Sequence, residues 1–335
     1  MTPTIADVAR QAGVSTATVS RVLAGLGGAR PATSDRVLEA ARVLGYRPSG
    51  VARSLKLRTT RTFGLIVTDI ENPFFPQLVR AVEDAANEQG YAVLLCNAVD
   101  DPERELAYLE LLADRRVDGV VIAAGSLGLR QRRWLDAAPL PVVLVNGSIP
   151  GTASIESDNL AGGRLAGEHL VALGHRRLGV LTAPARNVDA GARLAGVRAA
   201  VEAAGLDAAG VMVVTGEPGV TGGETAMRAL LRDAPLTTGV AAYNDLMAIG
   251  AMRAVRACGR RVPDDVSVVG FDDIGLAAFV DPALTSVAQS TAEMGRWAIA
   301  RLTAAVRGET TAEPIGPVMI PVLLRVRAST GPPPG

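Results

Sequence analysis

Residues 4–25 read TIADVARQAGVSTATVSRVLAG, two short helical patterns broken by a turn at Gly13. The first opens on Thr4, whose hydroxyl can cap the helix while Asp7, three residues on, returns the bond. Ile5, Val8 and Ala9 then fall at i, i+3 and i+4, one narrow apolar stripe. Ser15 opens the second as its N-cap, and Val19, Val22 and Leu23 repeat the spacing and face the first helix. Thr16, Ala17, Ser20 and Arg21 are left on the opposite side. A helix, a glycine turn and a second helix with small polar residues outward is the helix-turn-helix pattern, whose second helix enters the major groove. Helical hairpins also cap many domains that never meet nucleic acid, so charge has to decide. Residues 1–61 hold ten Lys or Arg against three acids, a balance of +7; the whole chain carries 34 of each, which leaves 24 against 31, or −7. A basic head on an acidic body suits a phosphate-binding module joined to something that does not bind nucleic acid.

Outward from this stretch, Gly25 to Ala32 is a glycine-rich loop closed by Pro31. Thr33 is expected to cap a third helix with Val37, Leu38, Ala41 and Leu44 as its inward stripe. In LGYRPSGVARSLK (44–56), Gly45 stops that helix, Pro48 holds the preceding residue extended, and Ser49 can cap a short helix ending at Lys56. Val51, Ala52 and Leu55 share one side of it. Two turns are too few to be stable alone in water, so this helix needs a partner, its own copy or DNA; the plain alternative is a polar linker.

From Thr62 the texture changes to an α/β alternation. FGLIV (63–67), AVLLC (92–96), GVVIA (119–123) and VVLV (142–145) read as strands buried on both faces of a parallel sheet. Helices are expected near 74–89, 103–114 and 129–137. The alternation repeats with strands near 178–182, 210–214, 239–243 and 266–271 and helices near 160–173, 191–204, 222–232 and 245–257. A last helix near 291–306 and strands near 318–327 follow. This predicts two doubly wound lobes in tandem. Polar residues collect at strand C-terminal ends: Asp69, Asn146, Asn244 with Asp245, and Asp272 with Asp273. Each alone suits a turn or a helix cap, but the set repeats in both lobes where open α/β sheets bind ligands, and so points to a cleft between them.

The bulk features bound the rest. At 335 residues the chain is long enough for two or three domains. Cys96 and Cys258 form no metal or disulfide pattern and are expected to be buried thiols. The chain opens directly on the capped helix and no apolar run is long enough to span a bilayer, so a cytoplasmic protein with no membrane partner is expected. No nucleophile–base pair, P-loop, dinucleotide fingerprint or metal motif is present, and no cofactor, metal or catalytic residue is expected; His175 is expected to shape the turn after a helix stop.

TIADVARQAGVSTATVSRVLAG, LGYRPSGVARSL, DIENPFF, NDLMAIGAMRA and RVPDDVSVVGFDDI, in this order and at these distances, resemble the lactose-repressor (LacI/GalR) family of bacterial transcription regulators. The resemblance runs from about Thr2 to about Ser329. It implies a helix-turn-helix domain over 1–47, a hinge helix and linker over 48–61, and a two-lobed effector-binding and dimerisation domain over 62–330. Lobe 1 would comprise about 62–158 with 289–320, and lobe 2 about 159–288 with 321–330. It further implies a homodimeric repressor on double-stranded DNA with a palindromic operator, controlled by a small polar effector, a sugar or sugar-like metabolite. Thr16, Ala17 and Arg21 would read bases, with Ser15, Thr18 and Ser20 near phosphates or supporting the helix. Thr4, Arg30 and Arg53 complete the DNA-facing set, and Leu55 would wedge between the central base pairs. The effector would meet Asp69, Phe74, Phe75, Asn146, Arg193, Asn244, Asp272 and Gln289.

The chain departs from the family pattern in places. Arg30 stands where a serine is usual and Ser34 where an arginine is usual. Asn146-Gly147 replaces a common Asp-Arg, and Pro218 lies where several sugar-binding relatives carry an aromatic platform. These changes argue against a standard hexose. A periplasmic-type sugar-binding protein would share the two lobes but would need a secretion signal and no basic head. An enzyme would need the reactive pair that this sequence lacks. The residues themselves leave open the effector, whether it induces or corepresses, and the operator.

Overall fold

A computed structural model describes residues 3–23, 28–46, 59–123, 127–309 and 317–335. The chain divides into two compact units, Met1–Thr60 and Arg61–Gly335.

The first unit is built from α1 (Ile5–Ala12), α2 (Thr16–Leu23) and α3 (Pro31–Val43). Val8, Ala9, Ala12, Val19, Val37, Ala40 and Ala41 form its buried core, and Val22, Leu23 and Leu44 pack partly against it. Thr4 and Asp7 close the expected capping box, and Gly13 ends α1 in the left-handed conformation at φ 63°. Two expectations for α3 fail. Pro31 occupies the first helical position, where its fixed φ and missing N–H cost nothing, so the helix starts before Thr33 and Arg30 takes the N-cap place through its backbone alone. Leu38 is 52% exposed because the inward face runs through Val37, Ala40 and Ala41, one step round the helix.

The second unit holds two six-stranded sheets. The first is built from β1 (Thr62–Val67), β2 (Ala92–Asn97), β3 (Gly119–Ala123), β4 (Val142–Val145), β5 (Ala153–Ser157) and β11 (Val318–Ile320), in the order β11-β5-β4-β3-β1-β2. Its pairings are all parallel, with Leu65 opposite both Leu95 and Val121. The helices α4 (Phe74–Glu88), α5 (Pro102–Asp114) and α6 (Leu129–Asp136) connect its strands. The second sheet holds β6 (Leu178–Thr182), β7 (Met212–Thr215), β8 (Gly239–Ala242), β9 (Ser267–Asp272), β10 (Thr285–Ala288) and β12 (Leu323–Arg325), in the order β12-β10-β9-β8-β6-β7. Its helices are α7 (Asn159–Ala172), α8 (Val188–Ala203), α9 (Val220–Asp233) and α10 (Asp245–Ala257). One edge departs from the expected all-parallel sheet, because β12 runs antiparallel to β10. The last helix, α11 (Thr291–Val306), packs on α4 and the first sheet. The chain therefore passes between the sheets three times among the described residues: after β5, after β10, and between β11 and β12.

Eight strands match apolar runs, but β5 and β10 have none. Besides Ile155 and Val287, their buried positions are Ser154, Ser157, Thr285 and Ser286, all polar. Ser329 explains part of this, since its hydroxyl accepts from the Thr285 N–H at 2.8 Å and donates to the Val268 carbonyl at 2.6 Å, pinning the C-terminal segment under the second sheet. His175, expected to shape the turn after α7, uses its ring on distant segments instead: its ring nitrogens lie 2.9 Å from Thr238 Oγ1 and 3.0 Å from the Gly331 carbonyl. Cys96 is buried, but Cys258, expected inside, is exposed where it caps the end of α10.

Helices α9 and α10 touch backbone to backbone. A Cβ on Gly250 would lie 1.9 Å from the Val220 carbonyl oxygen, and one on Gly223 would lie 2.1 Å from that of Met247. Gly250→Ala is therefore expected to cost about 1–3 kcal/mol or somewhat more, because a methyl group has to push two backbones apart. Urea denaturation of the variant checks this, and stability equal to wild type contradicts it.

Candidate functional site

The first unit presents one surface of α2. The Ser15 hydroxyl accepts from the Thr18 N–H at 3.1 Å and lies 2.9 Å from Thr18 Oγ1, which satisfies the helix start and fixes both side chains. Thr16, Ala17 and Arg21 are exposed beside it, and Ser20 is half-buried. Asp7 and Glu39 pair with Arg10 and Arg42, while Arg21, Arg30 and Arg36 have no acidic partner among the described residues. The described part of this head thus keeps uncompensated positive charge on a small-residue helix able to approach a duplex closely. Arg53 and Leu55 lie outside the described residues, as does the expected hinge helix.

The second unit carries a cavity of about 250 Å³. Many of its lining residues lie at the C-terminal ends of parallel strands: Asp69 after β1, Ala98 and Asp100 after β2, Asn146 after β4, Arg186 and Asn187 after β6, Pro218 after β7, Tyr243 and Asn244 after β8, Asp272 at the end of β9 and Gln289 after β10. The strand ends supply loops free of sheet pairing, so polar side chains from both sheets converge there. The backbone is held in uncommon conformations at the same place. Val99, Asp100, Asn146, Asp272 and Asp273 all have positive φ, between 53° and 108°, a cost that surrounding structure sustains most often at functional sites.

Arg193, projecting from α8, is the centre of the second lobe's wall. Its guanidinium donates to Asn159 Oδ1 at 2.9 Å and to the Tyr243 carbonyl at 2.6 Å, and lies 2.6 Å from Asp189 Oδ2 and 3.9 Å from Asp272 Oδ1. Its Cζ also stacks 3.7 Å from the Phe271 ring centroid. Gln289 Nε2 donates to Asp272 Oδ1 at 2.6 Å, and its Oε1 lies 3.5 Å from Asn146 Nδ2, so a polar chain runs from the second sheet to the first. At the mouth, Arg186 bridges Asp100 of one lobe at 3.3 Å and Glu217 of the other.

Burial opposes the charge on Arg193, but Asp189, Tyr243, Asp272 and Asp245 outweigh it and hold the guanidinium protonated. Burial pushes the Asp272 carboxyl up to about 7 even though Arg193 and Gln289 pull it down. Glu105, in the first turns of α5, is pushed up to about 7 by burial and then by the Asp100 charge. A carboxyl raised above its unfolded value stabilises fully below that value, and this is lost as pH rises through the folded pKa. The stability of Glu105→Gln should therefore gain on wild type between pH 5 and 8, by up to about 3 kcal/mol. A gap independent of pH contradicts this.

The eight residues expected at the cleft all line this one cavity. Two are also committed to the fold. Asn244 Oδ1 accepts from the Met247 N–H at 2.8 Å as the N-cap of α10, and its Nδ2 donates to the Pro218 carbonyl at 3.1 Å. Phe74 is core, only 4% exposed, at the start of α4. Sequence reasoning missed Glu105, Arg186, Asn187, Asp189 and Tyr243. Arg186 and Asn187 also follow a strand, though behind the intervening Ala183-Pro184, and a wider window past each strand end finds them. Asp189 and Tyr243 bond to each other, the phenol donating at 2.9 Å. Nothing in the acidic run DPERE marks Glu105.

A helix-turn-helix head with an exposed polar face on its second helix, followed by a two-lobed body with a polar cleft, defines a ligand-responsive DNA-binding regulator. Residues 4–49 match the bacterial regulatory proteins of the lacI family, and residues 168–330 match the periplasmic binding protein-like domain. The chain is 39% identical to the HTH-type transcriptional repressor PurR of Mannheimia succiniciproducens over 299 residues, 88% of this chain and 90% of that one. It is 40% identical to the ribose operon repressor of Escherichia coli K12, over 88% of this chain and 91% of that one. The crystal structure of the lac repressor dimer bound to operator and the anti-inducer ONPF superposes with a TM-score of 0.88 at 29% identity, covering 99% and 100% of the two chains. The chain belongs to the lacI family of bacterial regulatory proteins.

Proposed function

We propose that this chain is a homodimeric, cytoplasmic repressor and not an enzyme, whose operator affinity is set by a small polyhydroxylated ligand held between its two lobes. The observation that carries this is the polar chain Asp272–Gln289–Asn146, anchored beside Arg193. It spans the cleft from one sheet to the other, so a ligand that inserts into it changes how the lobes meet. The ribose named in one relative's operon fits the scale of the cavity, and Pro218 and Asn146 distinguish this site from one with an aromatic platform. Apolar residues left exposed on both lobes, Leu94 and Leu95 on the edge strand β2 and Phe279 in the second lobe, support association with a second copy. Among the described residues no helix is long and apolar enough to cross a membrane.

In this reading Thr16, Ala17 and Arg21 contact bases and Ser15, Thr18, Ser20, Thr4, Arg30 and Arg53 support or contact the backbone. Leu55 of each protomer wedges at the centre of the operator, and lobe movement decides whether the two Leu55-bearing segments can meet there. Such coupling is reciprocal: a ligand that changes operator affinity is itself bound with a different affinity on DNA. Arg21→Ala tests the head. It is expected to weaken specific binding by about 1–3 kcal/mol and relax the preference at one base position, while binding to random DNA changes little. Equal losses on operator and random DNA, read by fluorescence anisotropy, overturn the assignment.

A further inference from the structure

Six carboxylates line the cleft, those of Asp69, Asp100, Asp101, Glu105, Asp189 and Asp272, against two cations, Arg186 and Arg193. Both arginines are already spent: Arg186 lies between Asp100 and Glu217, and Arg193 between Asp189 and Asp272. The lining therefore has an excess of negative charge and no free cation among the described residues to receive an anionic ligand.

The unpartnered atoms in the same wall are acceptors. Glu105 Oε1, Asn146 Oδ1 and Asn187 Oδ1 are buried side-chain oxygens without a hydrogen-bond partner, and all three residues line this cavity. Glu105 is 6% exposed, and its Oε1 has no hydrogen-bond partner among the described residues. A buried carboxyl left this way is costly unless something donates to it, and a buried charge is tolerated only when paired. Its raised pKa is the response of an acid without such a partner.

We propose that Glu105 is a specificity-determining residue of the effector site, and that the effector is a polyhydroxylated molecule carrying a protonated amine. This rests on the cleft being the effector site. The ammonium supplies donors only, which the orphaned oxygens need, and its charge offsets the acidic lining. The hydroxyls take the mixed donor–acceptor positions of Gln289, Asn146 and Asp272. Phosphate esters and acid sugars are excluded by the same charge that favours the amine.

The test is isothermal titration calorimetry of the full chain at pH 7 against 2-amino-2-deoxyhexoses and 1-amino-1-deoxypentitols, each beside its neutral parent and its phosphate ester. The expected result is at least one amine binding tenfold or more tighter than its neutral parent, with no binding of the esters. In Glu105→Gln that ratio falls to about one, and Glu105→Leu, which keeps the wall filled without a polar atom, shows the same loss. Neutral or phosphorylated members binding as tightly as the amines, no amine binding at all, or a ratio unchanged in both variants overturns the proposal. Selection of operator DNA by the ligand-free protein tests the repressor reading separately, so the two can fail independently.

Discussion

Arg193→Ala is expected to destabilise the two-lobed unit by about 3–5 kcal/mol, the loss typical of removing one partner from a buried charge cluster. The change leaves Asp189 and Asp272 facing each other without a cation, takes the donor from the Tyr243 carbonyl, and empties the space against the Phe271 ring. Lysine does not rescue it, because a single ammonium cannot reach Asn159, the Tyr243 carbonyl and Asp189 together from one planar fork. Urea unfolding of Arg193→Ala and Arg193→Lys checks the prediction. A loss below 1 kcal/mol in the alanine variant would mean that the cluster is held by its other members. Arg193 thus lines the cavity and supports the lobe, and its removal is expected to abolish the ligand response through either route.

Asp272→Asn separates the two roles. The amide oxygen still accepts from Gln289, so the chain to Asn146 persists, while Arg193 keeps Asp189. Asp245 is raised first by burial and then by the Asp272 charge, so removing that charge relieves part of the strain on Asp245 and the fold should tolerate the change. Effector affinity is expected to fall about a hundredfold or more, since losing one side of a desolvated charged contact costs about 2–5 kcal/mol. Operator affinity without effector should equal wild type. A full ligand response in Asp272→Asn would remove this residue from the effector's contacts, and loss of folding would make it structural.

The elements legible in the sequence are those whose burial is written in apolar side chains. GVVIA and VVLV appear as strands at the expected residues because both of their faces are covered. ASIES and TSVA do not, because Ser157, Thr285 and Ser286 sit fully buried and no local pattern announces a buried hydroxyl. The same limit governs the site. Asp69, Asn146, Asn244 and Asp272 stand where strands stop, and periodicity locates those stops. Glu105 sits among acids at a helix start, where the usual reading is a solvated first turn favoured by the helix dipole. Its burial comes from the approach of other loops, a property of tertiary structure alone. Asn244 shows the converse, a residue placed correctly at the cleft whose amide is spent on capping α10 and on Pro218.

As proposed, the head reads a two-fold operator under the control of the cleft. The most direct measurement is selection of bound fragments from sheared genomic DNA by the purified chain, with and without a small-molecule extract of the source cells, followed by footprinting of the enriched fragments. The expected result is a compact palindromic site whose occupancy changes when the extract is added, and no such change with Asp272→Asn. No enrichment over random fragments under either condition, or protection without two-fold symmetry, would contradict it.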